Sequence, residues 1–370
     1  MNYNACIFRL LGARDCGGRR VHGKPRLLSS FRNSAICEYL STNLPYKLSP
    51  DDVYITARCT QAIGVAISIL ASPNANILVP RPGFLIYELC AAFRNVEIRH
   101  FNHLPENGWE VDLDVVDALA DQNTIAIIAE TAKKHKIVVI ADEVYGHLAF
   151  GANPFVPMGV FGSMVPVLTL GSLSKRCIVP GWWLGWFVLT DPNAISKMQR
   201  YVNQETVERL KKYFDICGGP ATFIQAAVPR ILKETSEAFF TRTLNMLKYT
   251  SDLCVNKIKY IPCLTCPTKP QGSMAMMVKL GIPLLKDIKD DIDFFFKPPK
   301  KESVILLPGD TSKKISAFTH VKICKLLITF FLILQTILQI LLREGYQRNC
   351  RRDDSIHQRI QYQGQFRIII

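Results

Sequence analysis

The chain has 370 residues, 48% of them hydrophobic, and carries 45 lysines and arginines against 31 aspartates and glutamates, a formal net charge of +14. That length exceeds the size at which one hydrophobic core stops growing, so two domains are expected. The positive excess sits at the ends, with 7 basic and 1 acidic residues in 1–34 and 12 and 5 in 300–370, so the near-neutral 35–299 argues against a nucleic-acid-binding domain.

In chain order, residues 1–34 form a basic segment with no placement. Its arginine-rich, acid-poor composition is only loosely that of a transit peptide, and cytoplasm is the default expectation. Residues 35–240 alternate short β-branched runs with helical stretches, the pattern of an α/β domain around a mainly parallel sheet. Strands are expected at 76–79, 97–100, 125–128, 137–140, 165–170 and 186–189, and a helix begins near Gln61. The run 125–128 passes into the helical stretch from Ala129 with almost no loop, where such connections take about 2 to 6 residues, so local distortion is expected. Residues 241–309 read as a smaller, incomplete α+β domain, with a helix around 239–258 and strands near 273–280 and 303–307.

Residues 310–370 form a tail of different character, for which an altered origin is expected. Within it, 326–342 holds seventeen residues without a charge, the lower edge of membrane-spanning length. Its two glutamines and two threonines count against an anchor, and the arginines that follow fit a surface helix equally, so a tail of altered origin is the preferred expectation. Cys263 and Cys266 have the spacing of half a zinc site, but no second pair accompanies them. The twelve cysteines therefore read as free thiols in a reducing compartment, and no metal is expected.

The chemistry concentrates around two loops. The run 136–140 reads as a buried parallel strand, and Asp142 lies just past its carboxyl end, where α/β sheets bind ligands. The next apolar run, 165–170, leads into Gly171-Ser172-Leu173-Ser174-Lys175-Arg176, which places Lys175 on the neighbouring loop. A lysine amine, a carboxylate and two hydroxyls are what pyridoxal phosphate requires. The amine joins its aldehyde, the carboxylate keeps its ring nitrogen protonated, and hydroxyls meet its phosphate and phenolic oxygen. Lys175, Asp142, Ser172 and Tyr145 are placed for those roles. An isolated Ser-x-x-Lys is more often a solvated turn, so the reading rests on the ordered set. His147, which follows it, reads as structural, and His135 as a solvated residue on a charged helix.

These segments resemble the tyrosine and nicotianamine aminotransferases of plants, within the fold-type I pyridoxal-phosphate enzymes. The resemblance is carried by Asp142-Glu143-Val144-Tyr145-Gly146-His147-Leu148, Asn153-Pro154-Phe155-Val156-Pro157-Met158-Gly159, Ser172-Leu173-Ser174-Lys175-Arg176 and Pro180-Gly181-Trp182. It extends through Cys59-Thr60-Gln61-Ala62-Ile63, Pro80-Arg81-Pro82-Gly83-Phe84 and Gly272-Ser273-Met274, from about residue 32 to 309. The resemblance implies that Lys175 bonds the cofactor and moves the substrate α-proton, that Asp142 pairs with the ring nitrogen, and that Tyr145 bonds the ring oxygen. Phe84, with Tyr87 as a second candidate, would stack on the ring. Ser172 and backbone amides at Arg58 and Cys59 would hold the phosphate. An amino acid and a 2-oxo acid as substrates, and a homodimer, are implied in the same way.

Four departures from the family pattern stand out. Glycine is usual where Arg58 stands. The wording Pro-Gly-Trp-Arg, whose arginine grips the phosphate, here reads Pro180-Gly181-Trp182-Trp183, so weaker cofactor binding is expected because indole offers one neutral donor. An insert containing Asn-Pro-Gly-Asn-Pro is missing after Ile128. The substrate-binding arginine near the C-terminus has no counterpart, Leu327 standing where it would fall. Three readings follow: an active aminotransferase working between tyrosine or a similar amino acid and 2-oxoglutarate, a degenerate relative that at most binds cofactor or an intact subunit, and another fold-type I lyase.

Overall fold

The central strands, 76–81, 167–172 and 185–190, are buried along almost their whole length, so both faces of the sheet are covered. In this computed structural model, residues 25–126, 129–135, 137–193, 208, 213–214, 219–285, 288–290, 293–294, 307–308 and 320–324 are described, with backbone alone at 25–29, 129–131, 307–308 and 320–324. The expected features at 1–24 and 326–342, Leu327 among them, lie outside the described residues.

The chain divides into two units, Met1–Asp252 with Pro267–Met276, and Leu253–Cys266 with Met277–Ile370. The first begins with helix α1 (Pro25–Ser41), strand β1 (Val53–Thr56) and helix α2 (Cys59–Leu70). Next come β2 (Asn76–Arg81), α3 (Ile86–Phe93), β3 (Glu97–Leu104), β4 (Glu110–Val111), α4 (Leu113–Leu119) and α5 (Ala129–His135). Then follow β5 (Val139–Asp142), β6 (Val167–Ser172), the single turn α6 (Leu173–Arg176), β7 (Gly185–Thr190), α7 (Thr222–Glu234) and α8 (Glu237–Ile258). The helix expected around 239–258 is α8, within which the division between the units falls.

The strands order as β1-β7-β6-β5 and β2-β3-β4, and single parallel bridges from Asn76 to Thr124 and from Ala126 to Val138 lie between the two groups. Those bridges are what the described residues show of the strand expected at 125–128; residues 127 and 128, next to the missing insert, lie outside the described residues. Pairs β2/β3 and β5/β6 are parallel, while β1/β7, β6/β7 and β3/β4 are antiparallel. The α/β class is as expected, but residues 186–189 do not join a parallel strand. After β6 the chain turns back through α6 and a short loop without a crossover helix, and a return that tight forces β7 antiparallel. Asp142 is the last residue of β5 rather than the first beyond it.

Successive residues on these strands feed opposite layers. On one side Phe187, Leu168, Leu170, Ile77 and Val79 pack against Ile63, Ala66 and Ile67 of α2, with the Tyr54 ring stacked 4.9 Å from Phe187. On the other, Trp186 and Val188 pack with Ile36 of α1 and Val228 and Ile231 of α7. The Asn33 side chain ties α1 to the strand entry by donating to the carbonyls of Pro50 and Val53 at 3.0 Å. Gly171 is required where β6 crosses Trp186, because a Cβ there would stand 2.6 Å from the indole. His135 is not solvated: its Nε2 lies 2.9 Å from Asp117, which Lys134 also meets at 2.6 Å. These partners hold the Asp117 carboxyl below its ordinary pKa.

β8 (Leu264–Thr265) pairs antiparallel with β9 (Ala275–Leu280), within which the division between the units falls again, and β10 (Leu307–Pro308) pairs with β11 (His320–Cys324), in the order β10-β11-β9-β8. The strand expected near 273–280 is β9; of the one expected near 303–307 only residue 307, in β10, is described, and 303–306 lie outside the described residues. Among the described residues no helix is long and apolar enough to cross a membrane.

Candidate active site

The parallel neighbours β5 and β6 end side by side, Asp142 standing opposite Leu170, and each strand end presents one chemical group. Beyond β6 the chain makes the turn α6, and Ser172 is its N-cap, accepting from the Ser174 N–H at 3.0 Å. The Ser172 hydroxyl also lies 2.9 Å from the Leu184 carbonyl, which in turn accepts from the Leu173 N–H at 3.1 Å. Local capping thus fixes where Lys175 leaves the backbone. Its Nζ lies 5.7 Å from the centre of the Tyr145 ring, within reach of a cation–π contact. Arg176 turns away, sandwiched between the rings of Tyr39 at 4.2 Å and Phe240 at 4.4 Å, and donates to the Tyr39 hydroxyl at 2.8 Å. Lys175 is half-buried beside the Tyr145 ring. Behind it, burial pushes His147 down to about 4, against the opposing pull of the Lys175 backbone, so the imidazole is neutral at pH 7.

Asp142 is exposed at the strand end and meets protein atoms through both carboxylate oxygens. Its Oδ1 accepts from the Val144 N–H at 3.4 Å and faces the Cys59 thiol at 3.6 Å, while its Oδ2 faces the Tyr87 hydroxyl at 3.4 Å. Partial withdrawal from water raises the carboxyl pKa, and these three donors work against that rise. Burial first, and the Asp142 charge second, push the Cys59 thiol and the Tyr87 phenol far up, so both stay protonated donors. The protonated thiol of Cys59 is unsuited to nucleophilic chemistry. Of the two aromatic candidates, Tyr87 reaches Asp142, whereas Phe84 is 51% exposed.

Glu143, the residue after β5, is half-buried beside the exposed Asp142. Burial pushes the Glu143 carboxyl up to about 7, although it accepts from the Met158 N–H at 2.7 Å. Sequence reasoning overlooked Glu143; its place next to Asp142 at a strand end was the available signal.

Arg58 and Cys59 lie at the amino end of α2. Arg58 occupies the N-cap position in extended backbone, with no side-chain cap bond. The turn is held by Thr56, whose hydroxyl donates to the Arg58 carbonyl at 2.8 Å, and by the Gln61 side chain, which accepts from the Ala57 N–H at 2.6 Å. Gly185 presses against this turn, where a Cβ would stand 2.6 Å from both the Arg58 carbonyl carbon and the Cys59 nitrogen. The Arg58 guanidinium lies 3.3 Å from the centre of the Trp183 ring, a contact that joins two of the departures noted in the sequence. Trp183 sits in the left-handed region at φ 52°, ψ 40°, uncommon for a bulky residue.

These contacts close a circuit. Lys175 faces Tyr145, and the loop from Tyr145 leads back to Asp142. Asp142 meets Cys59, next to Arg58, and Arg58 covers Trp183. Beside Trp183, the Leu184 carbonyl holds the turn that carries Lys175. All seven site residues expected from sequence lie in the first unit, and six of them belong to this circuit; Phe84 does not. Among the described residues no group of three or more His, Cys, Asp or Glu side chains is arranged to hold a metal ion.

Residues 7–124 and 117–281 match the family described as aminotransferase class I and II. A protein described as probable aminotransferase TAT2 from Arabidopsis thaliana is 63% identical over 295 residues, covering 74% of this chain and 70% of that one. Nicotianamine aminotransferase 1 from Oryza sativa subsp. japonica is 51% identical over 295 residues, again 74% of this chain, of which the chain spans 59%. The crystal structure of tyrosine aminotransferase from Leishmania infantum superposes with a TM-score of 0.74 over 85% of this chain and 81% of that one, at 23% identity, a likeness of fold.

Proposed function

The chain belongs to the class I and II aminotransferases, a family of fold-type I pyridoxal-phosphate enzymes, and on that footing we propose that it transfers an amino group from tyrosine or a similar amino acid to 2-oxoglutarate. The observation that carries the reading is the closed circuit of contacts from Lys175 through Asp142 and Arg58 back to the Lys175 turn.

The donor set suits the cofactor. An amine, a carboxylate at a strand end, and a guanidinium beside a helix N-terminus answer its aldehyde, its basic ring nitrogen and its dianionic phosphate, respectively. When bound, pyridoxal phosphate supplies an aldehyde that condenses with amines and a ring that withdraws electrons from the bonds around the amine-bearing carbon. Lys175 would hold the cofactor and would move the proton at the substrate α-carbon. Asp142 keeps a proton on the ring nitrogen, and Tyr145 orients the ring through its oxygen. Tyr87 and Cys59, both protonated, fix the Asp142 carboxylate; Phe84 is the aromatic proposed to cover the ring. Ser172 and the amides at Arg58 and Cys59 form the phosphate end.

A homodimer is the proposed assembly. Leu85, the N-cap of α3, with Leu89 and Phe93 on the helix, 37%, 54% and 81% exposed, form an apolar stripe of the kind that subunit contacts cover. A cytoplasmic setting is proposed, in keeping with seven described cysteines that are all free thiols. A second reading, a relative that binds cofactor without turnover, draws on Trp183 in place of the expected arginine.

Incubation with pyridoxal phosphate, tyrosine and 2-oxoglutarate tests the proposal. Glutamate and the keto acid of tyrosine are expected, with turnover reduced at least ~1,000-fold in Lys175→Ala. Cofactor binding without any product would favour the second reading. Turnover undiminished in Lys175→Ala would overturn the site.

A further inference from the structure

We propose that Arg58 and Trp183 together form the clamp for the cofactor's phosphate, the Trp183 ring serving as a shelf that holds the Arg58 guanidinium over the amino end of α2. This inference rests on the aminotransferase reading and deepens it. In the pattern that the sequence resembles, position 58 is small and position 183 carries the guanidinium. Here the guanidinium stands at 58 and the flat, neutral residue at 183, and the two side chains lie face to face at 3.3 Å. The number of guanidinium groups at this end of the cleft is therefore unchanged, and its backbone origin has moved.

The geometry suits a clamp better than incidental packing. A guanidinium stacked on an indole uses its π-face and leaves its N–H groups in the plane, directed outward for bidentate bonds to phosphate oxygens. Arg58 itself is exposed and would otherwise sample many rotamers; the ring restricts it before a ligand arrives. Its own backbone is held by the Thr56 and Gln61 bonds and by the close approach of Gly185. Through Cys59, which meets Asp142 at 3.6 Å, the clamp is set beside the carboxylate assigned to the ring nitrogen, so both ends of one small molecule are reached from the same turn. The Arg58 side chain itself makes no cap bond to the first turn of α2, so it does not compete with an anion for the N–H groups there.

Spectroscopic titration of the full chain with pyridoxal phosphate and with pyridoxal, which keeps the aldehyde and lacks the phosphate, reads the clamp without relying on turnover. Wild type is expected to prefer the phosphorylated form. In Arg58→Ala the affinity for pyridoxal phosphate should fall at least ~10-fold while that for pyridoxal stays within about twofold. The exchange variant Arg58→Gly with Trp183→Arg should recover the preference. Arg58→Lys should lose part of it, since a point charge neither forks nor stacks as well, and it provides the reading should Arg58→Ala fail to fold. If wild type binds pyridoxal phosphate through Lys175 and the preference survives in Arg58→Ala, the clamp is wrong and the aminotransferase reading stands. If neither wild type nor the exchange variant binds it through Lys175, both fall.

Discussion

Asp142 ends β5 and Lys175 sits on the turn that directly follows the parallel neighbour β6, whereas Arg58 and Trp183 come from a helix N-cap and a loop. The first pair matches the family wording residue for residue; the second departs from it at both positions. The contrast follows from what each group must do. A residue that forms a bond to the cofactor or holds one proton on a ring atom must present a specific functional group from a specific backbone point, and β5 and β6 fix those points. A residue that neutralises a phosphate needs a forked cation within reach, and more than one backbone position can deliver it. Arg58 on the Trp183 ring is one such position.

Substitutions at the first end sharpen this contrast. Asp142→Asn retains shape and removes charge, so turnover should fall on the order of 100-fold, with a smaller change in affinity for pyridoxal phosphate; parallel measurement of kcat and of cofactor affinity checks this. An equal loss in both would mean that Asp142 holds the cofactor rather than activating it, which would erase the division between the two ends. A smaller effect comes from Glu143, behind Asp142. Its carboxyl is raised from about 4.5 to about 7, so within that window the folded protein keeps a proton that the unfolded chain has lost. Its contribution is fully present below pH ~4.5 and declines as pH rises through about 7, by at most about 3 kcal/mol. Glu143→Gln should flatten that decline in urea midpoints compared at pH 5 and pH 7.5, and an unchanged slope would show that Glu143 is ionised throughout.

Strand ends were legible in the sequence because they are local. The β-branched run before Asp142 and the apolar run before Gly171 each announce a buried strand, and the residue that follows is placed by chain continuity alone. The antiparallel entry of β7 was not legible, since nothing in residues 186–189 distinguishes a strand reached by a tight return from one reached by a crossover. The Arg58–Trp183 contact was hidden for a related reason. Each residue registered separately as a departure, and only the packing of Gly185 against the α2 turn brings the two together. Tyr87 rather than Phe84 meets Asp142 because the turn entering α3 sets their directions, which spacing along the chain does not reveal. His135 looked solvated on a helix bearing Lys133 and Lys134, and its partner Asp117 is supplied by α4.

Peptide mapping by mass spectrometry after the full chain is incubated with pyridoxal phosphate and reduced with borohydride tests the central claim most directly. The account predicts a pyridoxyl group on the peptide containing Lys175, at near-stoichiometric yield and absent from Lys175→Ala. Label spread over other lysines, or found equally in Lys175→Ala, would contradict it.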